Sequence, residues 1–142
     1  MIRPYHPNDK TAVLSIWRES SSLAHPFLTH DQLDQAEAMI RDHFLDIAET
    51  YIAVSEDQAV GFIALMENEV GGLFVRPNFH GKRIGKALMD KAVDLKGELR
   101  LEVFTDNPIG RRFYQSYGFV VGIEKVDPFF GHKVLELMFT PS

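Results

Sequence analysis

One stretch constrains this chain more than any other: Val70-Gly-Gly-Leu-Phe-Val-Arg-Pro-Asn-Phe-His-Gly-Lys-Arg-Ile-Gly-Lys-Ala-Leu-Met-Asp90. Val70 to Val75 has the composition of a strand, and Pro77-Asn78 breaks it. His80 to Gly85 is a loop with glycines at both ends of Lys82-Arg83-Ile84. Ile84, Ala87, Leu88, Ala92 and Leu95 then recur at helical spacing, and Gly97 stops the helix. A helix that starts directly after a glycine loop presents N–H groups with no partner inside the helix, at the positive end of its dipole. That is an anion site. Gly81 and Gly85 let a ligand approach the backbone, and Lys82, Arg83 and Lys86 add full charges. A phosphate-bearing ligand is expected here.

Known phosphate loops do not fit the spacing. A Walker loop has four residues between its first glycine and Gly-Lys, followed by Ser or Thr. Here three residues separate Gly81 from Gly85-Lys86, and Ala87 follows. The dinucleotide fingerprint Gly-x-Gly-x-x-Gly is also absent.

Composition narrows the remaining classes. A chain of 142 residues that is 45% hydrophobic and 25% charged is expected to fold as a single domain over residues 1–142. No apolar run reaches the ~18 residues that suggest a membrane span, and no signal-peptide pattern opens the chain. Without cysteine there is no disulfide, thiolate metal site or cysteine nucleophile. His25 and His30 are five apart and lack metal-ligand spacing. A net charge of −5 argues against a nucleic-acid surface. We therefore expect a cytoplasmic protein with no metal, nucleic-acid partner or membrane partner. Exposed strand edges would permit a homodimer.

The rest of the chain reads in order. Ile2 to Tyr5 is a short edge strand containing Pro4. A helix is predicted from about Asp9 to Ser20, with Ala12, Val13, Ile16 and Trp17 inward and Ser20-Ser-Ser at its end. Thr29 and Gln32 form a capping box for a second helix to about Ala48, with Leu33, Ala36, Ile40, Phe44 and Ile47 inward. Tyr51–Val54, Val60–Met66 and Val70–Val75 read as an antiparallel meander. The helix after Gly85 returns the chain to a strand at Leu99–Phe104, parallel and adjacent to the strand at Val70. Asn107 caps a helix that has Pro108 at its first position and Gly118 just past its end. Phe119 starts a strand, Asp127 to His132 is a hairpin loop, and Val134 to Phe139 closes the sheet.

Two signatures resemble the GNAT N-acetyltransferase superfamily. The first is its acetyl-CoA loop, Gln/Arg-x-x-Gly-x-Gly/Ala, onto which His80, Arg83 and Gly85 fall, within flanks of Leu73-Phe-Val-Arg-Pro and Ile84-Gly-Lys-Ala-Leu-Met. The second is Asn107, six residues, then Tyr114 and Tyr117-Gly118-Phe119. Both occur in the family's order with a strand between, over roughly residues 60–125.

The resemblance implies an α/β (α+β) fold. Its mixed, mostly antiparallel sheet would have about six or seven strands, a splayed parallel pair and about four flanking helices. It also implies transfer of an acetyl group from acetyl-CoA to a primary amine, on a small molecule, a protein lysine or an N-terminus. The amine attacks directly, through a tetrahedral intermediate. The cofactor contacts carried over are the backbone of Leu73, Phe74 and Val75 for pantetheine, and His80, Gly81, Lys82, Arg83, Ile84, Gly85 and Lys86 for pyrophosphate. Asn107 is carried over as a polar contact. An N–H near Phe74 or Val75 would stabilise the oxyanion. Tyr114 would be the general acid for the leaving thiolate, since a phenol keeps its proton at neutral pH. A base is also needed, because an ammonium has no lone pair; Glu67 and Glu69 at the start of the strand are the candidates. His25, Phe27, Phe129 and Phe130 would border the acceptor. Arg83, where the family commonly has glycine, would point outward or bind a phosphate. A non-catalytic acyl-CoA-binding module is the alternative, and a nucleotide-binding protein is disfavoured by the loop spacing.

Overall fold

A computed structural model describes residues 1–142. In chain order the elements are β1 (Ile2–Pro4), α1 (Lys10–Ala24), α2 (His30–Met39), β2 (Glu49–Ser55), β3 (Gln58–Met66), β4 (Glu69–Val75), α3 (Ile84–Lys96), β5 (Leu99–Phe104), α4 (Pro108–Tyr117), β6 (Val120–Val126) and β7 (Lys133–Phe139). The strands form one sheet in the order β1-β2-β3-β4-β5-β7-β6. All neighbours are antiparallel except β4 and β5. This is the mixed sheet with one parallel pair, flanked by four helices, expected from the sequence. The last strand does not close the sheet at its edge, however. β7 enters between β5 and β6, and β6 becomes the edge.

Each face of the sheet carries its own core. Ile16 and Trp17 of α1 and Leu33 and Ala36 of α2 pack with Ile52, Phe62 and Ala64 on one face. Leu88, Met89 and Ala92 of α3 pack with Ile63, Leu65, Leu99 and Leu101 on the other, joined by Phe113, Tyr114 and Tyr117 of α4. Leu88 and Met89 have no exposed surface, and burying each stabilises the fold by roughly 1.5–3 kcal/mol. The inward face of α3 differs from the expected one. Met89 takes a buried place, while Ala87 and Leu95 face solvent.

The first two helices also depart from expectation. α1 does not stop at Ser20 but continues to Ala24, because Ser20 and Ser21 extend the buried stripe of Val13, Ile16 and Trp17. The capping box of Thr29 and Gln32 is present. After Met39 the helix widens into a π segment, Ile40–Phe44, before a last α-turn at Leu45–Ile47. A π turn holds extra chain and rotates every later residue around the axis. Leu45 is therefore buried, and Ile47, expected inward, is 68% exposed.

The splay lies in the middle of the sheet. β4 and β5 pair only at Glu69↔Arg100 and Val70↔Leu101. Immediately after, β4 carries a bulge: Val70 opposes Leu65 and Gly72 opposes Ala64, leaving Gly71 extra. A Cβ on Gly71 would lie 2.6 Å from Cζ of Phe44, so only glycine fits beneath the π segment. Beyond the bulge the backbone alternation of β4 is reset. Arg76 donates its N–H to Val60 O (2.8 Å), facing β3. By the antiparallel alternation, Phe74 also faces β3, while Leu73 and Val75 turn their N–H and C=O groups into the gap that β5 has left.

Candidate active site

The gap opens on both faces of the sheet. On the α3/α4 face a cavity of about 430 Å³ is lined by Phe79, Gly81, Arg83, Gly85, Lys86 and Phe113, among others. On the α1/α2 face lies a second cavity of about 590 Å³. Leu73, Val75, His80, Ile109, Gly110 and Tyr114 line both, so the two meet at the splay.

The first cavity is built for an anion. The first backbone bond of α3 is Ala87 N–H to Arg83 O, so the N–H groups of Ile84, Gly85 and Lys86 have no partner inside the helix. Arg83 takes the left-handed conformation at φ 63°, which costs a non-glycine residue roughly 1–2 kcal/mol. This is the position where the resembling loop carries glycine, and Arg83 lines the cavity as an exposed cation. Gly81, at φ 80°, meets nothing within 4 Å at its missing Cβ. Lys86 also lines the cavity, with Nζ 2.9 Å from Asp90. Lys82 does not line it and lies over the ring of Phe79 at 5.1 Å.

At the junction Val75 O accepts from Ser20 Oγ (2.9 Å) and pairs with His80 Nε2 (2.9 Å). These two side chains hold the end of β4 in place after β5 has left. Phe74 contributes its ring to the second cavity rather than a free amide. Of the two residues expected to supply an oxyanion donor, Val75 is the one facing the gap.

Tyr114 reaches the junction from α4. Asn107 caps that helix, its Oδ1 accepting from Gly110 N (3.0 Å). Asn107 Nδ2 lies 3.2 Å from His25 Nε2, so the histidine ring takes the acceptor role there. Phe113 and Phe119 pack on the Tyr114 ring, and Tyr117 donates its hydroxyl to Asp90 (2.6 Å). No protein group engages the Tyr114 hydroxyl, and burial pushes its phenol up to about 12. It is a proton donor across the physiological range.

The second cavity is aromatic and contains no Lys or Arg. Trp17, Phe44, Phe62, Phe74, Phe104, Phe129 and Phe130 contribute rings. Gln32 Nε2 donates to Phe130 O (3.1 Å), tying the hairpin to α2. His25 lines it and is buried; desolvation lowers its pKa to about 4, so the ring is neutral at pH 7. Phe27 does not line it but stands behind, packed on His25, Phe104 and His132.

The expected bases are not brought to this place. Glu67 is not on the strand at all; it sits exposed in the β3–β4 turn at φ 55°. Glu69 lies 3.9 Å from Arg100, where β4 and β5 are still paired, and neither glutamate lines either of these two cavities. The carboxylates in the second cavity are Glu102 and Asp127. Asp127 accepts from Phe130 N, while Glu102 is ion-paired with Lys125 (2.6 Å). Sequence reasoning missed Glu102. The signal was there: Leu99, Leu101 and Val103 alternate toward the α3 core, which puts Glu102 on the opposite face.

Similarity to known proteins agrees with this geometry. A model of the acetyltransferase (GNAT) domain matches residues 46–121. The chain belongs to the GNAT acetyltransferase family. It is 32% identical over 120 residues to the peptidyl-lysine N-acetyltransferase YiaC of Escherichia coli (strain K12), covering 84% of this chain and 82% of that one. It is 33% identical over 128 residues to the peptidyl-lysine N-acetyltransferase YjaB of Salmonella typhimurium, covering 89% and 88%. The solution structure of apo YjaB from Escherichia coli superposes with a TM-score of 0.89 at 29% identity, over 100% of this chain and 98% of the other. As a GNAT enzyme the protein transfers an acetyl group from acetyl-CoA to an amine. The first cavity's N–H groups and cations, the backbone groups of Leu73 and the N–H of Val75 fit that cosubstrate.

Proposed function

We propose that the amine is the ε-amino group of lysine in proteins, as in the relatives' names, and that the reaction runs through the splay between β4 and β5. The observation that carries this reading is the meeting of the two cavities at Tyr114 and Val75. The pyrophosphate end of acetyl-CoA is held at His80 to Lys86. The backbone of Leu73 pairs with the pantetheine arm. The lysine enters from the aromatic side, where a cavity without Lys or Arg accepts a cation. Val75 N–H faces the carbonyl oxygen as negative charge develops. Tyr114 gives its proton to the departing thiolate. Glu102 takes the proton from the ammonium, directly or through water, in place of Glu67 and Glu69. The same reading places the enzyme in the cytoplasm. The homodimer expected from sequence would pair through the exposed edge of β6; sedimentation as a monomer at micromolar concentration rejects it.

The test is thiol release from acetyl-CoA with a lysine peptide, using wild type and Tyr114→Phe. Loss of a positioned acid lowers kcat by roughly 10²–10⁴-fold, while affinity for acetyl-CoA is retained. A variant within threefold of the wild-type kcat removes Tyr114 from the reaction.

A further inference from the structure

Three consecutive serines end the buried stripe of α1, and their hydroxyls have different fates. Ser20 Oγ donates to Val75 O (2.9 Å) across the core. Ser22 Oγ donates back to Arg18 O (2.7 Å) in its own helix. Ser21 Oγ has no partner, although the residue has no exposed surface, and it lines the acceptor cavity. The great majority of buried polar side chains are hydrogen-bonded. A helical serine can always turn to the carbonyl four residues back, as Ser22 does. Ser21 is left unpaired beside a cavity. The other unpartnered buried hydroxyl, Thr50 Oγ1, belongs to β2 and lines neither cavity.

We propose that Ser21 binds the acceptor: its Oγ accepts a hydrogen bond from the attacking nitrogen of a lysine whose neighbours in the chain are apolar. This deepens the transferase reading above and rests on it. The location follows from the lining: Ser20, whose hydroxyl meets Val75 O, Ser21 and Val75 itself all border the same cavity. The need follows from the chemistry. An amine about to attack aims its lone pair at the acetyl carbon and has two N–H bonds left over. Ser21 takes one, which fixes the direction of the lone pair. The N–C bond forms as the carbonyl pair moves onto oxygen. The C–S bond then breaks with its pair on sulfur as the oxygen pair re-forms the carbonyl. Tyr114 protonates the thiolate, and the nitrogen's extra proton restores the Tyr114 phenol, Glu102 having already taken the first proton from the ammonium.

The preference for apolar neighbours comes from the rest of the lining. Aromatic rings pack along the lysine stem and attract its cation. The exposed apolar members of the lining are Met39 of α2, 49% exposed, Ile109 of α4, 39% exposed, and Phe129 of the hairpin, 44% exposed. A flexible methionine and an aromatic ring form a surface that takes bulky apolar side chains. The charged members are the carboxylates Glu102 and Asp127, which repel acidic neighbours.

The experiment uses the full chain, acetyl-CoA and a peptide with one lysine between leucines. Ser21→Ala lowers kcat/KM for the peptide about five- to tenfold, the worth of one hydrogen bond. It leaves KM for acetyl-CoA unchanged and the melting temperature unchanged or higher, because an unsatisfied buried hydroxyl has gone. Ser22→Ala, which loses a hydrogen bond outside the cavity, leaves kcat/KM unchanged. Replacing the leucines by glutamates lowers kcat/KM at least fivefold with wild type. Wild-type kcat/KM in Ser21→Ala overturns the proposal. So does a fall in melting temperature with both KM values raised, which marks a packing role. Equal turnover of both peptides overturns the apolar preference. Wild-type protein that binds acetyl-CoA and acetylates no amine removes the transferase reading itself, and the proposal with it.

Discussion

His25 shows how burial decides the behaviour of a single residue. Its ring is enclosed by Phe104 and Phe27 and takes the acceptor role toward Asn107 Nδ2. Desolvation lowers its pKa from 6.5 to about 4. As pH falls below ~6.5 the unfolded chain binds a proton that the folded protein refuses, so stability falls with pH over that window. At pH 5 the loss relative to pH 7 from this residue is about 2 kcal/mol. His25→Gln, neutral throughout, should lose correspondingly less stability between pH 7 and pH 5, measured by urea unfolding. An identical loss in both proteins would mean that His25 is not the group responsible. His25-Pro-Phe between two helices suggested a place at a pocket, and His25 lines the second cavity. Its link to Asn107, 82 residues away, was not legible beforehand, because nothing in local spacing encodes that contact.

At the scale of elements, α4 is the part whose placement matters most. Pro108 starts it, Asn107 caps it, and Gly118 ends it at φ 121°, with the N–H groups of Gly118 and Phe119 both on Tyr114 O. All of this was readable from Asn-Pro and Tyr-Gly-Phe, since caps depend on neighbours within a few residues. Gly110 was not readable. A Cβ there would lie 2.6 Å from Asn107 Nδ2, so alanine pushes the capping side chain off both the helix and His25. Alanine favours a helix interior by ~1 kcal/mol over glycine, yet we expect Gly110→Ala to destabilise the protein. The lost cap and the unpaired buried polar groups together cost more, about 2–3 kcal/mol. A raised urea midpoint in Gly110→Ala would show that Asn107 yields without cost. The helix ahead of β2 failed differently. Its inward residues were read correctly through Ile40 and Phe44, and the π segment then put Leu45 inward in place of Ile47.

For the whole molecule, the proposed reading makes the splay a seam that acetyl-CoA bridges. β4 and β5 share only two residue pairs, and on that reading the cosubstrate's amides supply partners for groups left open beyond them. Binding to the folded state alone at 100 times Kd adds about 2.7 kcal/mol, a rise in melting temperature of about 8 °C for a chain of this size. Gly85→Glu should abolish most of that rise. It sets a carboxylate against the phosphates, and its Cβ meets the Phe113 ring at 3.3 Å. A variant that keeps the full shift would place the pyrophosphate elsewhere than the start of α3.

What the sequence determined by itself was local: the anion loop and its helix, the meander, the capped α4, the parallel return of β5. These depend on periodicity and on turn and cap chemistry within about ten residues, and they sufficed to recognise the family. The tertiary structure decided which of those pieces meet. Phe44 of the π segment presses on Gly71, where the bulge reverses the alternation of β4 and β5 departs. That long-range contact turns Val75 into the gap. Insertion of β7 beside β5 brings in the hairpin with Phe129 and Phe130, and Ser21 of α1 lines the same opening. Glu67 and Glu69, plausible by position along the chain, fall at the closed end of the seam. Glu102 lies at the open one, because only the packing of strands against one another says where a gap will be.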